Sequence, residues 1–230
     1  MNAKKLVIAI DGPAASGKST TARLVAERLG YLHVDTGAMY RAITLKVLKF
    51  GLKPDDVGNV GRLLTSTRVE LQRTNDSVRV LLDGEDVTEG IRTAEVTKAV
   101  SAVSQIRQVR EAMVREQRKM AEGQGIVLEG RDIGTIVFPK AHLKIFMVAN
   151  LEARARRRQD ELKAKGINAN TRLILEEIQE RDELDTTRDE SPLKRAADAI
   201  ELDNSNLTIN EQVEFVLKKA KRLLEQNEVK

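Results

Sequence analysis

The amino-acid sequence predicts an α/β protein: a parallel sheet flanked by helices, interrupted by a small antiparallel insertion. Three observations carry that reading. Short apolar, β-branched runs alternate with segments of helical periodicity, as buried parallel strands and their crossover helices do. The first run leads directly into Gly12-Pro13-Ala14-Ala15-Ser16-Gly17-Lys18-Ser19, a glycine-rich turn that opens a helix. Between residues 62 and 92 the pattern changes to short strands separated by turn residues, which a βαβ unit does not contain.

The elements follow in order. Leu6–Ile10 is the first predicted strand, and Ala22, Val25, Ala26 and Leu29 then recur at helical spacing until Gly30 supplies a stop. Tyr31–Val34 is the second strand, and the segment after Asp35 enters a helix carrying Ile43, Val47 and Phe50. Arg68–Gln72 and Ser77–Leu82 pair across Asn75-Asp76, and Asp83-Gly84 turns the chain into Glu85–Val87. Helices over Glu95–Ile106 and Val109–Glu122 lead back to core strands Ile126–Glu129, Leu143–Val148 and Ala199–Leu202. Thr208-Ile209-Asn210-Glu211 is a capping box for a last helix with Val213, Leu217, Ala220 and Leu224 on one stripe. The expected domains are a core of 1–61 with 93–230, an insertion over 62–92 and a lid over 150–170.

Composition bounds the function. With 41% hydrophobic and 32% charged residues the chain is globular, and no apolar run is long enough to span a bilayer. The short apolar run after Lys4-Lys5 is read as the first strand, since removing it as a leader would destroy the loop it feeds. Thirty-nine basic against 35 acidic residues, net +4, do not by themselves argue for nucleic acid, and 3% aromatics make a poor base-stacking platform. The absence of cysteine rules out disulfide and thiol chemistry and suits the cytoplasm. A monomer is the expected state.

The glycine-rich turn predicts a nucleoside triphosphate. Its glycines let successive backbone N–H groups face one anion, and the helix N-terminus adds positive potential. Lys18 reaches the β- and γ-phosphates, and the Ser19 hydroxyl is placed to ligate Mg²⁺. Four further clusters accompany it. Thr36, Gly37 and Arg41 form either a second anion-binding helix entry or an ordinary N-cap with a surface arginine. Glu129-Gly130-Arg131-Asp132 ends an apolar strand in charge, where open α/β sheets bind ligands. Glu129 could there orient waters on Mg²⁺. Arg154, Arg157 and Arg158 share a helix face after a core strand, either as a solvated basic face or as an arginine lid over the transferring phosphate. Arg181, Asp185 and Arg188 share a face if their segment is helical. They then form either an exposed pair worth about 0.3–0.5 kcal/mol or a clamp for a phosphate and a ribose.

Several of these segments together resemble one family, the bacterial cytidylate kinases. They are I-D-G-P-A-A-S-G-K-S at the loop, D-T-G-A-M-Y-R at 35–41, E-D-V-T-E-G-I-R-T at 85–93 and V-R-E-A-M at 109–113. Further on come E-G-R-D-I-G-T-I-V-F-P at 129–139 and E-R-D-E-L-D-T-T-R at 180–188. The resemblance runs nearly the length of the chain in collinear order. It implies a P-loop nucleoside monophosphate kinase that moves the γ-phosphate of ATP to CMP or dCMP, with a nucleotide-binding insertion and a lid. It assigns Gly12, Pro13, Ala14, Ala15, Ser16, Gly17, Lys18, Ser19 and Thr20 to the donor. Cytosine falls to Thr36, Arg110 and Asp132, the acceptor's α-phosphate to Arg41, Arg131 and Arg188, and the sugar to Arg181 and Asp185. Lys18, Arg131, Arg157, Arg158 and Arg188 are the implied catalytic set, and Mg²⁺ falls to Ser19 with Glu129 behind it. Glu129 stands where aspartate is common in such strands.

Three other readings share parts of this pattern, one of them a nucleic-acid-associated ATPase, against which the near-neutral charge balance and scarce aromatics weigh. A kinase of another small acceptor would keep every phosphate contact and differ at the base pocket. A regulatory GTPase lacks support from any N-K-x-D sequence, and Asp55-Asp56-Val57-Gly58, which fits D-x-x-G, falls at a predicted helix start.

Overall fold

The computed structural model describes residues 5–74, 78–164 and 166–226. The turn expected at Asn75-Asp76, the first residue of the strand expected from Ser77, and Lys165 within the expected lid lie outside them. The chain divides into two compact units, one of 1–34 with 121–230 and the other Asp35–Met120.

The first unit is built on a five-stranded parallel sheet in the order β2-β6-β1-β7-β8. Its strands are β1 (Val7–Asp11), β2 (Leu32–Asp35), β6 (Ile126–Gly130), β7 (Leu143–Val148) and β8 (Ile200–Asp203). Strand β1 lies between β6 and β7, with Ile10 level with Glu129 on one side and Ile145 on the other. Being central, β1 is apolar on both faces, and Ile8, Ala9 and Ile10 are fully buried. Helices α1 (Lys18–Leu29) and α8 (Ile209–Glu225) bring Ala22, Val25, Val213, Val216, Leu217 and Ala220 into one cluster with Ile8, Ile10, Ile145 and Met147.

Both helices end as their sequences direct. Gly30 adopts φ 68° and its N–H returns to Ala26 and Glu27 carbonyls. Thr208 and Glu211 form the full reciprocal capping box. Helices α6 (Leu151–Ala164) and α7 (Thr171–Thr187) share only a small apolar cluster of Ala155, Ile174 and Ile178. Polar contacts therefore weigh more in holding this pair to the sheet.

The second unit holds the three-stranded antiparallel sheet β3 (Val69–Arg73), β4 (Val78–Leu82) and β5 (Glu85–Asp86). Asp83 and Gly84, both at positive φ, make the tight turn that pairs Leu82 with Glu85. The sheet packs with α2 (Thr36–Lys49), and α3 (Val57–Leu64), α4 (Ala94–Gln105) and α5 (Arg107–Met120) complete the unit. Asp56 caps α3 by accepting the Asn59 N–H, so Asp55-Asp56-Val57-Gly58 is a helix start. This compact unit is wider than the 62–92 segment in which the sheet was expected.

Candidate active site

The glycine-rich loop leaves β1 and enters α1, and its backbone leaves little choice of residue. Gly12 lies at φ 154°, where a Cβ would sit 2.2 Å from the Met147 carbonyl oxygen of β7. Gly17, at φ 88°, is the left-handed residue that starts α1. Lys18 is buried and folds back over the loop, donating to the Pro13 carbonyl at 2.6 Å and to Ser16 Oγ at 3.2 Å. Burial, reinforced by the nearby Arg131 guanidinium, pulls its ammonium down to about 7. A poorly solvated lysine of this kind gains most from an anion placed beside it.

Asp11, at the end of β1, accepts the Ile133 and Gly134 N–H groups at 2.8 Å each. Burial nevertheless raises its carboxyl to about 6 against the pull of those two amides. The contact fixes a single π-type turn over Ile133–Val137, directly after the charged end of β6. From α1, Ser19 donates to Glu129 Oε2 at 2.7 Å, and His33 of β2 approaches Glu129 Oε1 with Nε2 at 3.2 Å. A hydroxyl and a carboxylate side by side at a strand end are hard oxygen donors, the set Mg²⁺ favours.

Two helices reach over the loop from the other side. Arg154 of α6 donates to the Ala14 carbonyl at 3.3 Å and pairs with Asp182 of α7. Asp182 also accepts the Ala14 N–H at 3.2 Å. Arg157 donates to the carbonyls of Ser16 at 3.3 Å and Asn204 at 2.6 Å. Asn204 Nδ2, fully buried, donates to Ser16 O at 2.7 Å and to Gln212 Oε1 at 2.9 Å. Arg158 instead pairs along its own helix with Glu161 at 3.0 Å.

A third cluster is arginine-rich and buried. Arg131 Nε binds Asp185 Oδ2 at 2.6 Å, and Arg188 lies 3.7 Å from the other carboxylate oxygen. Arg188 also makes two bonds to the Ser191 carbonyl, at 2.6 and 2.9 Å. Burial alone would raise the Asp185 carboxyl, but Arg131, with Arg188 and Arg181, holds it below its ordinary range. Arg181 is half-buried beside Arg131, and its buried Nε has no hydrogen-bond partner among the described residues. Burial, then the Arg131 charge, lowers its pKa. A half-buried guanidinium amid this surplus of positive charge gains from an anion placed beside it.

Arg181 and Asp185 sit in α7 as the helical spacing requires, but Arg188 does not. It lies beyond the last turn, at φ −60° and ψ 142°, so it meets Asp185 through the bend of the chain rather than along a shared helix face.

The remaining sequence candidates belong to the second unit. Thr36 is buried in the first turn of α2, where Asp35 caps the helix by accepting the Ala38 N–H at 3.1 Å. The helix entry is thus an Asp N-cap. Arg41 donates to Thr97 Oγ1 at 2.9 Å. Arg110 is buried in α5, donates to the Ser104 carbonyl at 3.2 Å, and stacks 5.4 Å from the centre of the Tyr40 ring.

The model of one protein family, cytidylate kinase, matches residues 8–222. The chain belongs to the cytidylate kinase family. A cytidylate kinase of Caldicellulosiruptor bescii is 50% identical over 214 residues, 93% of this chain and 95% of its own length. One from Bacillus subtilis is 48% identical over 214 residues, 93% of this chain and 96% of its own. Among solved structures, an uncharacterized protein from Eubacterium ventriosum superposes with a TM-score of 0.53 at 13% identity. The match covers 95% of this chain and 99% of that one, and it speaks for the fold alone. The resemblance drawn from the sequence motifs is therefore borne out as to family and fold. No helix among the described residues is long and apolar enough to cross a membrane.

Several residues that build this site gave no functional signal in the sequence. Asp11 reads as the end of a strand, His33 as a structural strand residue, and Asp182 as one more charge in a charged helix. Asn204 and Gln212 are polar residues near a helix start. Asp11, His33, Asp182 and Asn204 act across 96 to 188 residues of sequence: 122 for Asp11 to Ile133, 96 for His33 to Glu129, 168 for Asp182 to Ala14, and 188 for Asn204 to Ser16.

Proposed function

We propose that this chain transfers the γ-phosphate of ATP to CMP or dCMP, giving ADP and CDP or dCDP. The observation that carries the reading is the buried Arg131–Asp185–Arg188 cluster with the under-bonded Arg181 beside it. It supplies a second phosphate seat in the unit that holds the phosphate loop. Acceptor phosphate falls to Arg131 and Arg188, and sugar hydroxyls to Arg181 and Asp185. The family resemblance adds Asp132 and, from the second unit, Thr36, Arg41 and Arg110 as acceptor contacts. Gly12 to Thr20 hold the donor phosphates, with Lys18 over them.

The acceptor attacks as a phosphate oxyanion, so no general base is required. Catalysis is then positioning plus stabilisation of charge on the equatorial oxygens by Lys18, Arg131, Arg157, Arg158 and Arg188. Ser19 would hold Mg²⁺ with the donor phosphates, with Glu129 behind it orienting the ion's waters, and bound there the ion would neutralise β- and γ-phosphate charge. The chain acts as a monomer in the cytoplasm, on small molecules rather than nucleic acid.

The test is ADP release from Mg·ATP against CMP, dCMP, UMP, AMP, GMP and no acceptor. Fast turnover with CMP and dCMP alone is the expected result. Preference for another monophosphate would overturn the base assignment, and acceptor-independent hydrolysis would overturn the kinase reading.

A further inference from the structure

Ala14 is unusual within the phosphate loop because both of its backbone polar groups are taken by the two helices that reach over it. Its N–H donates to Asp182 Oδ1 of α7 at 3.2 Å, and its carbonyl accepts from Arg154 of α6 at 3.3 Å. Arg154 and Asp182 close the ring by pairing with each other. Arg154 is buried, so this pair is little screened by water. The next residue, Ala15, stands at φ 55°. An L-residue adopts that left-handed conformation only under strain, unless the surroundings impose it. The ring grips the peptide immediately before that bend, where the loop amides are aimed.

The same helix carries a second carboxylate. Asp185 lies three residues after Asp182, about 4.5 Å further along the axis, and binds Arg131 with Arg188 close by. Helix α7 therefore offers one carboxylate to the donor loop and another to the arginine cluster. In-line phosphoryl transfer depends on how the donor phosphates and the acceptor phosphate are spaced and aligned. We propose that Asp182 is a positioning residue: it fastens α7 to the Ala14 peptide and so registers the Asp185 arginine cluster against the donor loop. This rests on the reading of the loop and the cluster as donor and acceptor seats.

Steady-state kinetics of wild-type protein, Asp182→Ala, Asp182→Asn and Asp182→Glu, with ATP and CMP each varied, tests it. Misregistration lowers the chemical step itself, so Asp182→Ala should lose at least about tenfold in kcat while each KM stays within about threefold. Asp182→Asn keeps an acceptor for the Ala14 N–H but loses the charge that holds Arg154, and should fall between wild type and Asp182→Ala. Asp182→Glu should restore part of the loss.

Arg154→Ala placed in the Asp182→Ala background should add little, since either change opens the same ring. Thermal melts identify folded variants, and the isosteric Asp182→Asn keeps the test available if Asp182→Ala does not fold. Unchanged kcat in folded variants, a loss confined to one KM, or additive losses for Asp182 and Arg154 would overturn the proposal. Loss of acceptor-dependent turnover in the wild-type protein would instead overturn the reading of the site.

Discussion

The glycine-rich loop and the Arg131–Asp185–Arg188 cluster both concentrate positive potential, but they are made differently. The loop uses main-chain amides, with glycine at Gly12 and Gly17 because the backbone turns where side chains do not fit. Its one charge, Lys18, is held buried, bonded to Pro13 O and Ser16 Oγ. The cluster uses side-chain guanidiniums gathered round a buried carboxylate, Asp185. One seat is a property of local chain conformation, and the other is a balance of buried charges. Loss of a charge should therefore have unequal structural consequences in the two.

The largest expected effect separates them directly. Asp185→Ala leaves buried arginines without their counter-charge, which should cost about 3 kcal/mol, or about 6–12 °C in melting temperature. Lys18→Ala removes a charge that burial already disfavours, so the melting temperature should move by no more than about 3 °C. Its turnover, however, should drop about 10²–10³-fold. Calorimetry of both variants beside their kinetics checks this, and equal destabilisation by the two would erase the distinction.

A pH series sharpens the loop side of the comparison. With its ammonium lowered to about 7, Lys18 sheds its proton in the folded protein far below its ordinary value near 10.5. The unfolded chain then binds the extra proton between pH 7 and 10.5, so this group's contribution to stability rises with pH over that window. Donor binding has the opposite sign, because phosphate requires the ammonium. ADP affinity by titration calorimetry should weaken as pH rises through 7, and Lys18→Met should flatten that dependence. An affinity independent of pH from 6.5 to 9 in the wild-type protein would contradict the burial of this charge.

The smallest effect lies outside both seats. Thr208→Ala removes the capping box of α8 and should cost about 1 kcal/mol of stability. Turnover at 25 °C should be unchanged, because Thr208 contacts neither the loop nor the cluster. A change in kcat would mean that the α8 terminus reaches the loop through Gln212 and Asn204 more strongly than their hydrogen bonds suggest.

What could be read from the chain follows the range of the interactions. Strand β7 falls where the apolar run Leu143–Val148 puts it, and the other sheet strands lie within a residue of their apolar runs, because a buried parallel strand needs a local run of such residues. The antiparallel hairpin at Asp83-Gly84 was equally legible, since positive φ at two positions is a local demand. The extent of the unit around it was not, because α2, α4 and α5 join it by packing.

Arg188 marks the same limit on a smaller scale. A helical count from Arg181 through Asp185 continues to Arg188, yet the helix stops at Thr187 and the contact forms across the bend. By itself, then, the sequence determined the fold class, the phosphate loop and the identity of the arginines that gather round Asp185. Only the tertiary structure decided that Asp11 anchors the turn after β6, that His33 meets Glu129, and that Asp182 and Arg154 grip Ala14. The physical reason is that a carboxylate's partner is chosen by proximity after folding, and a charge in a charged segment carries no record of which distant amide it will meet.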